Sequence, residues 1–399
     1  MSGPASADTP LHLPASEEEA AAIIAEARAA RTTLSVEGGG TKGALGRPVR
    51  AAARLSSRAL IGVTLYEPAE LVIGAKAGTP LSEIEEILAE KGQRLAFEPA
   101  DYRALLGSSG EPTIGAVAAA NLSGPRRIMA GAARDALIGV RFVNGLGDIV
   151  KNGGRVMKNV TGLDLVKLMA GSYGTLGFLT EVTFKVLPKP EVSATLVYPG
   201  LDDSRAIEAL SEALGSPYEV TGAAHLPVGD GRQSAQTLIR IEGFKPSVAY
   251  RLGELRRLLA DFGEPAEARG ESLWRGVRDA APMASLADRA VWRISTAPGQ
   301  AAALASAIRG AITGRHSFDW GGGLIWLAVE ADAAATRVVR EAVREHGGHA
   351  TLIRAPEALR QSVDVFEPLS EPLMRLQKRV KTSFDPDGIF NPGRMYASI

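Results

Sequence analysis

Three glycine-rich clusters carry the strongest chemical signal in this sequence. The first reads Gly38, Gly39, Gly40, Thr41, Lys42, Gly43 and follows a short aliphatic run. Successive glycines let backbone N–H groups converge on an anion without Cβ clashes. The spacing Gly38-x-Gly40-x-x-Gly43 matches the dinucleotide fingerprint by letter. A Rossmann turn must run into a helix, however, and residues 44–50 contain Gly46 and Pro48 and show no helical period. A tight strand-ending turn accounts for the same glycines, so the first cluster alone leaves both readings open.

The second cluster begins Thr113, Ile114, Gly115, Ala116 and ends Asn121, Leu122, Ser123, Gly124, Pro125, Arg126, Arg127, with Arg134 and Asp135 close behind. Small side chains permit close approach to a large flat ligand, hydroxyls and an amide can donate to phosphate or ring heteroatoms, and arginines can offset negative charge. A packed helix start with Asn121 and Ser123 as ordinary caps uses the same residues. The third cluster runs from Lys158, Asn159, Gly162, Asp164 and Leu165 to Gly171, Ser172, Tyr173, Gly174, Thr175, Leu176 and Gly177. Three glycines in seven residues, just ahead of a β-rich run, point to backbone approaching a ligand. Together the clusters suit one long cofactor.

Composition narrows the chemistry further. The chain has 399 residues, no cysteine, and 45 basic against 45 acidic side chains. It can form no disulfide, thiolate zinc site, iron–sulfur cluster or cysteinyl cofactor link, and has no catalytic thiol. Zero net charge argues against nucleic acid or an anionic membrane surface as the main partner. The five histidines, His12, His225, His316, His346 and His349, all lie outside the glycine clusters. His346 and His349 are separated by two glycines and read as a surface turn, so no metal site is expected. Residues 1–14 show no secretory pattern, and no run reaches the roughly 20 apolar residues of a membrane span. A soluble cytoplasmic protein follows as the expectation, with any membrane association made through partner subunits.

The elements that must position the clusters are legible in part. Ser16 and Glu19 form a capping box, and Ala20, Ile23, Ile24 and Ala27 make one apolar helical stripe. Residues 32–36, 71–77, 138–143 and 177–186 read as strands. Thr79 and Pro80 suit the Ncap and N1 positions of a helix that Gly92 ends. Pro188 and Pro190 mark a boundary. Beyond it, helical stretches at 206–214, 248–259 and 336–345 alternate with strands at 237–241 and 324–329, and 264–270 reads as a surface loop. That alternation is α+β. Leu373, Leu376, Val380 and Phe384 form a final helical stripe before a turn-rich tail that should dock rather than fray.

The order of these motifs resembles the FAD-binding domain of the vanillyl-alcohol oxidase and p-cresol methylhydroxylase (PCMH) superfamily. Residues 113–127, with Lys158-Asn159-x-x-Gly162-x-Asp164-Leu165 and Gly171-Ser172-x-Gly174-Thr175-Leu176-Gly177, look like the FAD-binding (E) subunits of bacterial glycolate oxidases. The resemblance covers about residues 12–190 and resumes at Phe384-Asp385-Pro386-x-Gly388-Ile389-x-Asn391-Pro392-Gly393. It implies an α+β fold, with a PCMH-type FAD-binding domain of two α+β subdomains over 1–188. An α+β cap domain over 189–368 and a C-terminal segment, 369–399, returning to the FAD domain complete the chain.

The resemblance also implies roles. Gly38, Gly39, Gly40, Thr41 and Lys42 would hold the pyrophosphate together with Thr113, Ile114, Gly115, Ser123 and Gly124. Gly171, Ser172, Gly174, Thr175 and Gly177 would line the cofactor from the other side, Glu181 and Val182 would offer backbone to the adenine, and Asn391 would lie near the isoalloxazine. Pro99, Asn121, Lys158 and Asp164 complete the set. Ala116 and Tyr173 depart from the pattern, standing where relatives often carry Gly and Glu. The FAD is expected to be noncovalent, since no histidine falls in the motifs.

Oxidation of a 2-hydroxy acid needs a cation for the carboxylate and a group to take the hydroxyl proton. Catalytic relatives tend to carry His-x-Gly-Asp-Gly-Asn-x-His in the cap, whereas residues 320–326 here read Trp-Gly-Gly-Gly-Leu-Ile-Trp. A strand entering the core behind Trp320 and Trp326 explains that stretch equally well. No catalytic residue is therefore assigned, and Arg354 and Arg394 stand as candidate carboxylate clamps. The implied function is the FAD-binding subunit of a glycolate oxidase, passing electrons to a separate iron–sulfur subunit beside a larger flavin subunit. The alternatives are a noncatalytic FAD-bearing scaffold and a freestanding flavin oxidase of a sugar or hydroxy acid.

Overall fold

The computed structural model describes residues 9–154, 162–229 and 231–399. Its first helix, Glu17–Ala29, starts as local chemistry dictates: the Ser16 hydroxyl accepts from the Glu19 N–H at 3.1 Å. The reciprocal bond falls one residue earlier, with the Glu19 carboxylate accepting from the Ala15 N–H at 2.8 Å. Ala20, Ile24 and Ala27 bury their stripe with Leu34, Leu55, Phe178, Ile389 and Phe390.

The chain divides into two compact units. One comprises the chain up to Leu122, Gly131–Lys189 and Asp364–Ile399; the other comprises Ser123–Ala130 and Pro190–Val363. The first contains two main sheets. Strands Leu11–His12, Ala53–Ser56 and Leu34–Glu37 form a parallel sheet in that order. An antiparallel sheet runs Val63–Glu67, Val72–Lys76, Phe178–Lys185, Leu137–Val143, Ile149–Gly153. Helices Leu81–Glu90 and Ile114–Ala120 supply Leu81, Ile84, Leu88, Val117 and Ala118 to its core, together with Ile73, Val140, Phe142 and Phe184. Burying each such large side chain contributes about 1.5–3 kcal/mol, so this core fixes the platform beneath the glycine clusters.

The second unit is built on one eight-stranded antiparallel sheet. Its order is Ala266–Arg269, Val192–Pro199, Gln236–Gly243, Gly222–Leu226, Gly314–Asp319, Leu324–Val329, Ala290–Ser295, His349–Arg354. Helices Asp203–Gly215, Lys245–Leu258, Ala301–Ala311 and Ala333–His346 pack against it.

Four local features differ from the sequence expectation, each for a physical reason. Helix Leu81–Glu90 begins one residue late, with Pro80 at its N-cap. The Thr79 hydroxyl turns back instead, donating to the Lys76 carbonyl at 2.7 Å and accepting from the Gly62 N–H at 3.0 Å. Residues 266–269 form a short, mostly exposed edge strand rather than a loop. Shortness is what keeps such an edge from templating association. On helix Glu371–Phe384, Leu373 and Leu376 stand 51% and 53% exposed, and only Val380 and Phe384 of the stripe reach the core. Finally, linear boundaries at 188 and 368 do not capture Ser123–Ala130, which groups with the second unit. There Arg126 makes a buried two-pronged pair with Glu242, and the Trp320 indole N–H donates to the Gly124 carbonyl at 3.1 Å.

Candidate cofactor site

Strand Leu34–Glu37 delivers the first glycine cluster directly against the second. A Cβ on Gly38 would stand 2.3 Å from the Thr113 hydroxyl oxygen, and one on Gly39 would stand 1.8 Å from the Glu111 carbonyl oxygen. A side chain at Gly38 would have to displace the Thr113 side chain, and one at Gly39 would have to move backbone. Gly115 is equally constrained, its Cβ position lying 2.5 Å from that of Ala77. Gly40 differs: its φ is +80°, and no atom lies within 4 Å of where a Cβ would be. The loop is thus pressed shut on one side and open at Gly40. Turns, with no helix, follow at 41–47, so the letter match to the dinucleotide fingerprint is not a Rossmann turn.

The third cluster docks on the second. The Gly171 N–H donates to the Ala118 carbonyl at 3.2 Å and the Tyr173 N–H to the Ala119 carbonyl at 2.9 Å, using the last turn of helix Ile114–Ala120. Asn121 ends that helix in the left-handed conformation, and its side-chain oxygen accepts from the Arg134 N–H at 2.9 Å. A single buried amide then closes the arrangement. Asn391 Oδ1 accepts from the Val36 N–H at 2.9 Å, while Nδ2 donates to the Tyr173 carbonyl at 2.8 Å.

Two hydroxyls in the second and third clusters stand without a partner. Thr113 Oγ1 and Ser172 Oγ are buried and have no hydrogen-bond partner among the described residues. Leaving a buried hydroxyl unsatisfied costs about 1–3 kcal/mol, so an orphan from each of two touching clusters fits a ligand with polar oxygens. Lys42 adds a charge. Burial pushes its pKa down to about 8; Asp101 pulls it back up and Arg103 pushes it lower. An anionic ligand would favour its charged form.

Other expected residues have structural employment. Asp164 caps helix Leu165–Met169, accepting from the Lys167 N–H at 3.0 Å. Thr175 Oγ1 donates to the Ser172 carbonyl at 2.7 Å, and a Cβ on Gly177 would lie 2.8 Å from the Phe142 ring. Glu181 and Val182 lie in the central strand Phe178–Lys185, paired on both flanks, with a register shift in the Arg141/Phe142 neighbour beside them. Ile114 and Pro99 are buried. Ser123 and Gly124 belong to the second unit. Lys158 lies outside the described residues.

The arginines correct the sequence expectation. Arg126 is consumed by Glu242. Arg354 is not a free clamp, because it donates to the carbonyls of Met283, at 3.1 Å, and of Leu286. Arg394 is buried, and its Nη2 donates to the Lys42 carbonyl at 3.4 Å. The Arg354 guanidinium holds backbone rather than waiting for substrate.

Several organised groups went unread in the sequence, although Lys381 and Asp385 stand at the i,i+4 spacing of a helical ion pair. In the first unit, Lys381 and Asp385 form a buried pair at 2.5 Å. In the second unit, Asp203 receives His316 Nε2 at 2.8 Å and Arg309 at 3.2 Å, with His225 Nε2 at 3.5 Å. Burial pushes the Asp203 carboxyl upward, but the hydrogen bonds and charges of the two histidines outweigh it and hold the group well below the ordinary carboxylate range. Trp320 is buried with Arg127 and Arg293 stacked 4.6 and 5.0 Å from its ring centre, and Trp326 lies in the sheet core. Among the described residues, no group of three or more His, Asp or Glu side chains is arranged to hold a metal ion, and no helix is long and apolar enough to cross a membrane.

The FAD binding domain family matches residues 11–153, which span the first two clusters. Over 370 residues the chain is 38% identical to glycolate oxidase subunit GlcE of Escherichia coli strain K12, covering 92% of this chain and 94% of that protein. The chain belongs to the GlcE family. A stretch of 85 residues, 21% of this chain and 18% of the other, is 45% identical to glycolate oxidase subunit GlcD of Bacillus subtilis strain 168. The solved structure of 4-ethylphenol oxidase from Gulosibacter chungangensis, in an isoeugenol complex, superposes with a TM-score of 0.73 at 13% identity, covering 97% of this chain and 89% of that one. The fold is therefore the PCMH-type α+β FAD-binding fold, the cofactor is FAD, and this GlcE-family chain is an FAD-dependent oxidoreductase subunit.

Proposed function

We propose that the chain is the FAD-binding subunit of a glycolate oxidase complex that oxidises glycolate to glyoxylate. The observation that carries this is that the three glycine clusters touch one another, with the buried hydroxyls of Thr113 and Ser172 left unpartnered, in a chain so like GlcE along its length. Gly38, Gly39, Gly40 and Gly115 let backbone reach the diphosphate, Lys42 offsets its charge, and Thr113 and Ser172 donate to its oxygens. Asn391 orients the third cluster rather than contacting the ring, because its amide is already bonded to Val36 and Tyr173. Bound FAD supplies the acceptor for the hydride leaving C2 of the hydroxy acid. With no cysteine, the chain has no thiolate ligands for an iron–sulfur centre, so electrons pass to a separate iron–sulfur subunit, beside a larger GlcD-type flavin subunit.

A noncatalytic FAD-bearing scaffold is the second reading. What favours it is that Trp320 packs against two arginines where catalytic relatives carry histidine, while His225 and His316 are turned to Asp203. Anaerobic mixing with glycolate separates the two, using the purified chain alone and then with its partner subunits. Flavin bleaching in either preparation supports a catalytic flavin in this chain, provided a partner flavin site is disabled in the second. Retained, unbleached flavin in both leaves the scaffold.

A further inference from the structure

Helix Glu371–Phe384 faces solvent along most of its length, and Lys381 is its one buried residue. The Lys381 ammonium donates to the Thr175 carbonyl at 2.7 Å, the Phe390 carbonyl at 2.9 Å and Asp385 Oδ2 at 2.5 Å. All three of its protons are thereby used. Asp385 in turn accepts from the N–H groups of Ile389, at 3.0 Å, and Phe390, at 2.8 Å. Phe390 bridges in parallel to Leu34, and the Asn391 N–H donates to the Leu34 carbonyl at 2.9 Å. One lysine therefore joins the third glycine cluster to the tail, and through the tail to the strand that delivers the first cluster.

Docking the helix does not require this. Val380 and Phe384 already pack on the core, and burying an ammonium costs several kcal/mol that a methionine or leucine would avoid. What the lysine adds is a fixed position for Thr175. Thr175 is bonded twice to the Ser172 carbonyl, through its N–H at 3.0 Å and its hydroxyl at 2.7 Å, so a fixed Thr175 also fixes Ser172. The Ser172 hydroxyl is one of the two unpartnered groups of the cofactor site.

We propose that Lys381 and Asp385 are a positioning latch for FAD: by holding the Thr175 carbonyl they set the 171–177 turn, and the C-terminal helix thereby determines how tightly the chain retains its cofactor. The latch rests on the assignment of that turn to the cofactor wall. Its test reads FAD binding rather than glycolate turnover, so a failure to bleach with glycolate leaves it intact. A wild-type chain that binds no FAD would overturn both.

Three properties of the full chain are compared between wild type, Lys381→Met and Lys381→Arg: the FAD dissociation constant by flavin fluorescence quenching, the shape of the visible flavin band at saturation, and unfolding of the apoprotein. Lys381→Met should raise the dissociation constant at least tenfold, which is about 1.4 kcal/mol, and shift the band toward that of free FAD. Lys381→Arg, retaining charge and donors, should recover part of both. Asp385→Asn, which loosens the lysine while keeping a side-chain oxygen for the tail amides, gives the same readout if Lys381→Met fails to fold. An unchanged band with affinity within about twofold of wild type, whatever happens to apoprotein stability, would reduce Lys381 to a structural ion pair and overturn the latch.

Discussion

Lys42 sits where a charge is disfavoured without a partner. Burial lowers its pKa to about 8, and the nearby Asp101 recovers only part of the loss. Below that pH its charge costs the apoprotein stability, and the cost is relieved as pH rises through 8 toward the unfolded value. A diphosphate reverses the preference. Below pH 8 the ammonium is already present and binding FAD takes up no proton; above it, binding must recruit one. FAD affinity should therefore fall as pH rises past 8, by up to about tenfold per pH unit, until the pKa of the bound state is reached. Lys42→Met should flatten that profile, weaken FAD at neutral pH, and stabilise the apoprotein there. Dissociation constants and apoprotein melting measured across the range check all three, and parallel pH profiles would remove Lys42 from the site. At this scale the sequence was a partial guide. Gly38, Gly40, Thr113 and Gly174 stand out in the sequence because their spacing is local, whereas the Lys381 bond to Thr175 and the Asp203 contacts with His225 and His316 join residues far apart in the chain. Arg354 misled for the same reason, since nothing near it in sequence shows the carbonyls it holds.

The glycine loops work as elements through two different requirements, and substitution separates them. Gly39 needs space: a Cβ there meets the Glu111 carbonyl oxygen at 1.8 Å. Gly39→Ala should cost about 1–3 kcal/mol of apoprotein stability, as overpacking does, and abolish FAD retention by prising the 38–40 loop from 111–113. Gly40 needs a left-handed backbone but has room, so Gly40→Ala should cost about 1–2 kcal/mol and leave the loop seated. Denaturant unfolding and flavin content of the two purified variants test this, and equal flavin loss with equal stability would contradict it. Most elements were legible, because capping and apolar periodicity act over a few residues: helix Glu17–Ala29 and strand Leu324–Val329 fall where Ser16 and the aliphatic run place them. The edge strand Ala266–Arg269 was not, since its pairing with residues 194–197 supplies an order that its polar sequence lacks. The final helix shows the converse, a regular stripe of which only Val380 and Phe384 reach the core.

For the whole molecule, the two units separate cofactor chemistry from the Asp203 cluster. Asp203, His225, His316 and Arg309 all lie in the second unit, while residues 38–43, 113–121 and 171–177 lie in the first. Asp203→Asn should destabilise the second unit by about 1–3 kcal/mol at neutral pH. Because the carboxyl is held below its unfolded pKa, the stabilisation is present above that value and disappears as pH falls through the folded one. Wild type should therefore lose more stability on acidification than Asp203→Asn, with FAD affinity alike in both; thermal unfolding and FAD titration at neutral and acid pH measure this, and parallel acid losses would contradict it. The chain's even charge balance and lack of cysteine were plain in the composition, but their meaning was not. Under the proposed function, the lack of cysteine means that this chain offers no thiolate ligands for an iron–sulfur acceptor of its own. The visible absorption spectrum of the purified chain, repeated on the supernatant after acid precipitation, tests the central claim most directly. A flavin spectrum that moves wholly into the supernatant is the predicted result; a colourless protein that added FAD does not restore would contradict it.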